Sequence, residues 1–486
     1  MPKIRRRRTA LYLWALLLVL LAYFATSLSV AAQGPDWSEP IQLNTSDGVT
    51  PAIVVDNAGD VHVFWGSQSD LAPGALFHTR LSRGVWGMPT DVLISPTGDR
   101  AQYPSAVVDR AGVIHLVWAG DAIYYSYARQ ENADLARGWS APRVLSTGQA
   151  TTPSIALDGQ GHLHVLYADI YHSPHIRHTA STDGGASWRE PVIVSAPQRG
   201  AVAINADLAI DQNDVMHAIW AETIEDFPPS GVYYSRSEDQ GLTWSSPFAV
   251  AVGGYSWGSI GVDAENNVHL FWTGTGDWAG KYHRWSTDRG KSWTETQRVW
   301  PEMAGLLSFA TLLAATDGGF HIVAPASGWQ SDPLSSGDIW HAAWVDGQWA
   351  RPTDISVGMW DRRRENHSPQ AAFGVDGTLH VVWDMANPLL EGGEPSSLVW
   401  YAARAPAGGA QSRPTLGVST PVPLATAPTA VPTSEGSLTS ADGPMTQATL
   451  SLGGSPSAAA PLALGTVAAG VVAIGAFVLA LRSRRR

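Results

Sequence analysis

The stretch STDGGASW, Ser181 to Trp188, recurs as SEDQGLTW (Ser237 to Trp244) and as STDRGKSW (Ser286 to Trp293). Four positions are fixed in each copy: Ser181, Asp183, Gly185 and Trp188; Ser237, Asp239, Gly241 and Trp244; Ser286, Asp288, Gly290 and Trp293. The chemistry is that of a tight turn between strands. The Asp carboxylate accepts from backbone N–H groups a few residues on, and the Gly takes a backbone angle that other residues resist. The Trp then brings a large ring to bury. A return interval of about fifty residues is the period of propellers and solenoids.

Working outward, the stretch is one corner of a larger repeating unit. Its first copy reads TPAIVVDNAGDVHVFWG, ALFHTRLS and GVWGMPTDVLI, from Thr50 to Ile94. These are short alternating apolar runs separated by turn residues, the pattern of an antiparallel meander of four strands. A His in the second run marks each unit: His62, His115, His164, His217, His269, His321 and His380, at intervals of 53, 49, 53, 52, 52 and 59 residues. One position repeated at one place in every unit is a packing role, so the seven His are read as core and no metal is assigned. An Asp six residues earlier opens a turn in five copies (Asp56, Asp109, Asp158, Asp211 and Asp263), and Ala315 and Gly374 replace it in the last two. Trp-x-x-Pro opens the fourth run at Trp86, Trp139, Trp188, Trp244 and Trp349. The seventh unit lacks a fourth run, and the missing piece stands at the other end as DWSEPIQLN, Asp36 to Asn44. The expected fold is all-β: a seven-bladed β-propeller of four-stranded blades over residues 33–404, its ring closed by an N-terminal strand so that no sheet edge stays open.

The three Ser-x-Asp-x-Gly-x-x-Trp stretches resemble the Asp-box, or bacterial neuraminidase repeat, of sialidases and other propellers. The resemblance covers the propeller through its repeat motifs only. It implies that the boxes are structural turns on the face away from the ligand. Sialidases bind the substrate carboxylate with an arginine triad, the first in a Phe-Arg-Ile-Pro-like motif, and use a Tyr–Glu nucleophile pair and an Asp acid/base. Here VTPAIVV and QYPSAVV stand at the comparable places with no arginine. Six-bladed catalytic sialidases also differ in blade number. No catalytic residue carries over.

The chain ends set the expected location. KIRRRR, an apolar run and SVAAQ read as a signal peptide over residues 1–32. Residues 405–460, rich in Pro, Thr, Ser and Ala, read as a disordered stalk. Residues 461–481 include a run of twenty uncharged residues, Leu462 to Leu481, long enough for one transmembrane helix, and 482–486 are expected to form a basic cytoplasmic tail. The expectation is a single-pass cell-membrane protein with an extracellular head. With no Cys the head has no disulfides. The formal net charge is −12, and without the basic ends residues 33–460 carry −21, which argues against a nucleic-acid partner.

Chemistry is expected on the face opposite the boxes, at the loops between second and third strands and at the blade-to-blade connections. The candidate ligand-binding residues there are Arg100, Asp121, Asp169, Tyr171, Glu222, Trp257, Trp329, Trp360, Arg362 and Arg364. Rings beside carboxylates and arginines suit a sugar, since the rings stack on its apolar face and the charges orient its polar groups. No motif calls for a cofactor. The sequence therefore points to a surface-anchored propeller that binds a glycan or an extracellular protein through this face. The alternative is an exo-sialidase-type glycoside hydrolase acting on acidic glycans.

Overall fold

The computed structural model describes residues 36–44, 48–67, 73–98, 100–146, 148–169, 174–197, 200–224, 231–274, 278–305, 308–327, 337–357, 365–387, 396–406 and 414–416. The expected signal, transmembrane and basic-tail segments lie outside them, as does nearly all of the expected stalk. Among the described residues no helix is long and apolar enough to cross a membrane.

Seven antiparallel sheets follow one another along the chain. Their innermost strands are Val49–Val55, Gln102–Val108, Ala150–Leu157, Ala201–Ile210, Tyr255–Val262, Thr311–Ala314 and Glu365–Phe373, in blades 1 to 7. Each contacts the next, and the last contacts the first, so the ring is closed. There is no common core. Seven separate apolar clusters fill the seven seams between consecutive blades, each built from both neighbours. This follows from alternation: a blade is apolar on both faces, and every face needs a partner.

The N-terminal stretch closes blade 7 as its outermost strand, with Ile41 opposite Tyr401 and Gln42 opposite Trp400. Ser38 and Leu43 donate their amides to the carbonyls of Ala403 and Val399, both at 2.8 Å. Trp37 is buried in the seam between blades 6 and 7 and Leu43 in the seam between blades 7 and 1. Beyond the seventh blade, Thr415–Leu416 adds a parallel strand beside Val85–Trp86 at the edge of blade 1.

The seven His are all structural. Each sits on a second strand and bonds a ring on the third: His62 to His78, His115 to Tyr125, His164 to His178, His217 to Tyr234, His269 to His283, His321 to His341 and His380 to Tyr401, at 2.7–3.1 Å. In blades 1, 2, 3 and 5 the other ring nitrogen faces the turn Asp, for example His269 Nε2 to Asp263 Oδ2 at 3.1 Å. That carboxylate also ties the turn, accepting from the amides of Glu265 and Asn267. The repeated Asp and His thus form one unit that pins the first turn to the third strand.

The three Ser-x-Asp-x-Gly-x-x-Trp stretches form turns with one hydrogen-bond scheme. In blade 4, Ser237 Oγ donates to Asp239 at 2.8 Å and accepts from the Gly241 amide at 2.9 Å, while Asp239 accepts from the Thr243 amide at 2.9 Å. The Gly is required twice over. Gly185, Gly241 and Gly290 have φ of 88°, 75° and 75°, and a Cβ there would overlap Tyr125, His178 and Tyr234 of the preceding blade. The Trp stacks edge-on against the same rings: Trp188 on Tyr125, Trp244 on His178 and Trp293 on Tyr234. Each box therefore seals a seam. In blades 3 to 5 the regular fourth strand starts only after the Trp-x-x-Pro/Thr segment, at Val192, Phe248 and Gln297. One amide past the Trp still bonds the third strand (Arg189 to Ala180, Ser245 to Arg236, Thr294 to Trp285), and regular pairing resumes only beyond that segment.

Candidate functional site at the channel mouth

The turns between strands one and two and between strands three and four share one end of the disc. First strands begin at the other end, and close to that start each is bent. Register shifts occur in six of the seven blades, between Val49/Ala52, Gln102/Ser105, Thr151/Ser154, Ile204/Asp207, Ser256/Ser259 and His367/Gln370. Inside each shift one non-glycine residue is left-handed: Thr50 (φ 48°), Tyr103 (50°), Thr152 (46°), Asn205 (56°), Trp257 (48°) and Ser368 (47°). Such residues cost on the order of 1–3 kcal/mol each and persist where surrounding bonds hold them. Those bonds run between blades. Tyr103 donates its amide to Thr50 Oγ1 at 2.9 Å, Ile155 to Ser105 Oγ, Ala310 to Ser259 Oγ and Ser368 to Ser308 Oγ.

The ring of bulges surrounds a cavity of about 220 Å³, lined by Thr50, Tyr103, Thr152, Asp207, Phe309 and Gln370 among others. Asp207 is a strut across three blades, accepting from the Ser154 hydroxyl (3.2 Å) and the Leu208 and Ile260 amides (2.9 and 3.1 Å). Burial pushes its carboxyl up to about 6 despite those bonds.

On the other side of the channel, groups from blades 7, 1 and 2 converge. Asp384 lies within the second strand of blade 7, Leu379–Asn387, directly opposite His367 on the first. It is 6% exposed, its carboxylate accepts from the Ser368 hydroxyl and the Thr50 amide, and its Oδ1 is buried without a hydrogen-bond partner. Burial pushes this carboxyl above the ordinary range, with His367, Ser368 and Thr50 opposing. Tyr103 stands near enough that the Asp384 charge, added to burial, raises its phenol, while Arg100 acts the other way. Tyr103 is half-buried and lines the cavity, and burial is the main cause of the rise in its phenol pKa. The result is an arginine, a histidine, a phenol and a carboxyl whose hold on its proton burial strengthens, grouped about Tyr103 at the wall of the cavity. Such a set offers donors to the carboxylate and hydroxyls of a ligand.

Of the residues expected from sequence, Arg100 belongs to this cluster and Trp257 to the ring of bulges. Three others are engaged elsewhere in their own blades. Asp121 accepts from the Thr97 and Tyr124 hydroxyls, and Asp169 from Arg177 Nε at 3.0 Å. Glu222 is 2% exposed and accepts from Trp220 Nε1 at 3.2 Å. Each of these carboxylates is thus bonded to a neighbouring side chain, and in Asp169 the bond joins two adjacent strands. Tyr171, Trp329, Trp360, Arg362 and Arg364 lie outside the described residues, so their place in the site is unassigned. Tyr103, His367 and Asp384 are not among the ten candidate residues. The signal for Tyr103 is the dyad it forms with Pro104, repeated as Thr50-Pro51, Thr152-Pro153 and Ser368-Pro369 at the blade period. Among the described residues no group of three or more His, Cys, Asp or Glu could hold a metal ion.

No family profile matches the chain, and neither does any curated protein. Solved structures do. A polysaccharide lyase, an ulvan lyase solved with a bound saccharide, superposes with a TM-score of 0.53 at 14% identity, over 74% of this chain and 95% of its own. A protein of unknown function from Dyadobacter fermentans gives 0.48 at 16% identity, over 76% and 100%. The NanB sialidase from Streptococcus pneumoniae gives 0.42 at 11%, over 78% and 70%. At these identities the likeness is one of fold.

Proposed function

We propose that the channel mouth binds an acidic saccharide, which makes this chain a glycan-binding propeller. The observation that carries the reading is the convergence of Arg100, Tyr103, His367 and Asp384 from two connected blades and the closing one. Arg100 supplies a fork for a carboxylate, and Tyr103 and the Asp384 acid supply donors to ring hydroxyls. Display on a cell surface, with the apolar segment 461–481 as tether, belongs to the same proposal.

A second reading, cleavage, is favoured by one feature of the same cluster. A buried carboxyl whose pKa is shifted upward, beside a His and a Tyr, is the kind of group general acids are built from. The arginine triad of a sialidase is not assembled from the described residues, so a sialidase-type reaction has less support here than binding.

The test is calorimetric titration of the full-length chain with a uronic-acid tetrasaccharide and a neutral tetrasaccharide, with product release followed in parallel. The acidic probe is expected to bind saturably, and Arg100→Gln to weaken it about tenfold, the loss of one charged hydrogen-bonded contact. Turnover abolished by Asp384→Asn with binding retained would establish the second reading. Equal binding of both probes, or an Arg100→Gln protein of unchanged affinity, would sink the proposal.

A further inference from the structure

One position on the third strand, next to the residue that faces the repeated His, has the same duty in five blades. Thr79, Ser126, Thr179 and Ser235 each donate a hydroxyl hydrogen to the carbonyl just past the seam Trp, on Gly87, Ser140, Arg189 and Ser245, at 2.6–2.9 Å. In blade 5 the residue is Arg284, and its Nε makes the equivalent bond to the Thr294 carbonyl at 3.0 Å. A hydroxyl suffices for that bond. The guanidinium brings a charge into the seam that the fold does not require.

Glu295 attracts that charge without closing an ion pair on it. Arg284 is half-buried and reaches across to blade 4, with Nη1 3.4 Å from the Val250 carbonyl and the guanidinium carbon 5.5 Å from the Phe248 ring. No carboxylate lies within ion-pair distance of it or of the exposed Lys291 among the described residues. Buried charge normally finds a counter-charge. The two cations border a groove of about 460 Å³ between blades 4 and 5, with Arg236, Ser246, Phe248 and Trp293 as further walls. Phe248 is 40% exposed and lies parallel to Trp293, 7° apart in plane, so a flat apolar shelf stands beside the charges.

We propose that this groove is a second saccharide site, which seats one sugar ring on Phe248 and its sulfate or carboxylate between Arg284 and Lys291. The groove lies on the box side of the disc, which the sequence reading treats as inert, and the inference does not depend on the channel mouth. A polynucleotide is disfavoured because it brings a phosphate at every residue to a chain that carries −21 over residues 33–460, whereas a single shelf with its two cations suits one charged sugar.

The full-length chain is titrated at 150 mM salt with a sulfated hexasaccharide, a uronic-acid hexasaccharide, a neutral hexasaccharide and a single-stranded oligonucleotide of matched charge. Arg284→Thr is the decisive variant, because Thr79 and Thr179 show that a threonine satisfies the carbonyl. Saturable binding of the sulfated or the uronic probe is expected, and whichever binds more tightly identifies the anion. Titrated in an Arg100→Gln background, so that the channel mouth does not contribute, Arg284→Thr should weaken it at least tenfold and Lys291→Gln about threefold. Absence of saturable binding, an unchanged Arg284→Thr, or an oligonucleotide that competes as well as the saccharide would each overturn the assignment. Lys291→Gln, at an exposed position, keeps the test open should Arg284→Thr fail to fold.

Discussion

Removal of residues 36–44 should abolish cooperative folding of the head. The stretch contributes two buried anchors to two different seams, Trp37 at 6% and Leu43 at 5% exposure. Truncating a buried Trp to Ala costs about 3–5 kcal/mol and a buried Leu about 2–5. Because the anchors sit in separate clusters the two losses should add. About 5–10 kcal/mol is comparable to the whole stability of an ordinary domain. The deletion also frees a sheet edge, since the amides of Val399 and Ala403 lose Asn44 Oδ1 and Ser38 Oγ, at 2.7 and 3.0 Å. The assay is urea unfolding followed by Trp fluorescence, for the truncated protein and for Trp37→Ala and Leu43→Ala singly and together. A single-step transition in the truncated protein, at the parent's urea midpoint, would show that the ring does not need this strand. Strictly additive single variants with a cooperative double variant would locate the defect in packing alone.

Two further outcomes follow from the boxes and the histidines. Asp239→Ala should destabilise by about 1–2 kcal/mol, because the Thr243 amide and the Ser237 hydroxyl lose their acceptor, with urea unfolding as the readout; a variant as stable as the parent would show the turn to be held by its glycine alone. Stability should be greatest above pH 6.5 and fall as pH drops from 6.5 toward 3. Burial, reinforced by the neighbouring ring, holds His178 down to about 3 and His78, His283 and His341 well below their ordinary value, so the unfolded chain takes up protons that the folded head refuses. Asp207 and Asp338, raised to about 6 and about 7 with burial the main cause, act in the opposite direction together with Asp354 and Asp384, but these four stand against nine His lowered by burial among the described residues. A melting point at pH 5 equal to that at pH 7.5 would refute the balance.

The fold was legible because its determinants are local and repeated. A box needs its Ser, Asp, Gly and Trp within eight residues, and the His recurs wherever a second strand must be bonded to a third. Closure was legible for the same reason, since one unit lacked a strand that another place in the chain supplied. The mouth was not legible from loop composition, because acids near strand ends are drawn first to the backbone and to nearby side chains. Asp121, Asp169 and Glu222 are spent in that way. The informative residues are those that break the repeat. The residue after the buried second-strand aromatic is Gly66, Ala119, Ala168, Ala221 and Thr273 in the first five blades, small because the next blade's first strand crosses close by. A Cβ on Gly66 would overlap the Ala101 carbonyl. In blade 7 the same position is Asp384, an acid set where packing asks for the smallest side chain. Arg284 breaks the run of Thr79, Ser126, Thr179 and Ser235 in the same sense. In a closed repeat, packing fixes what every blade shares, so a costly exception in one blade needs a cause outside packing. By that criterion Asp384 and Arg284 carry more functional weight than any of the loop residues whose composition first drew attention.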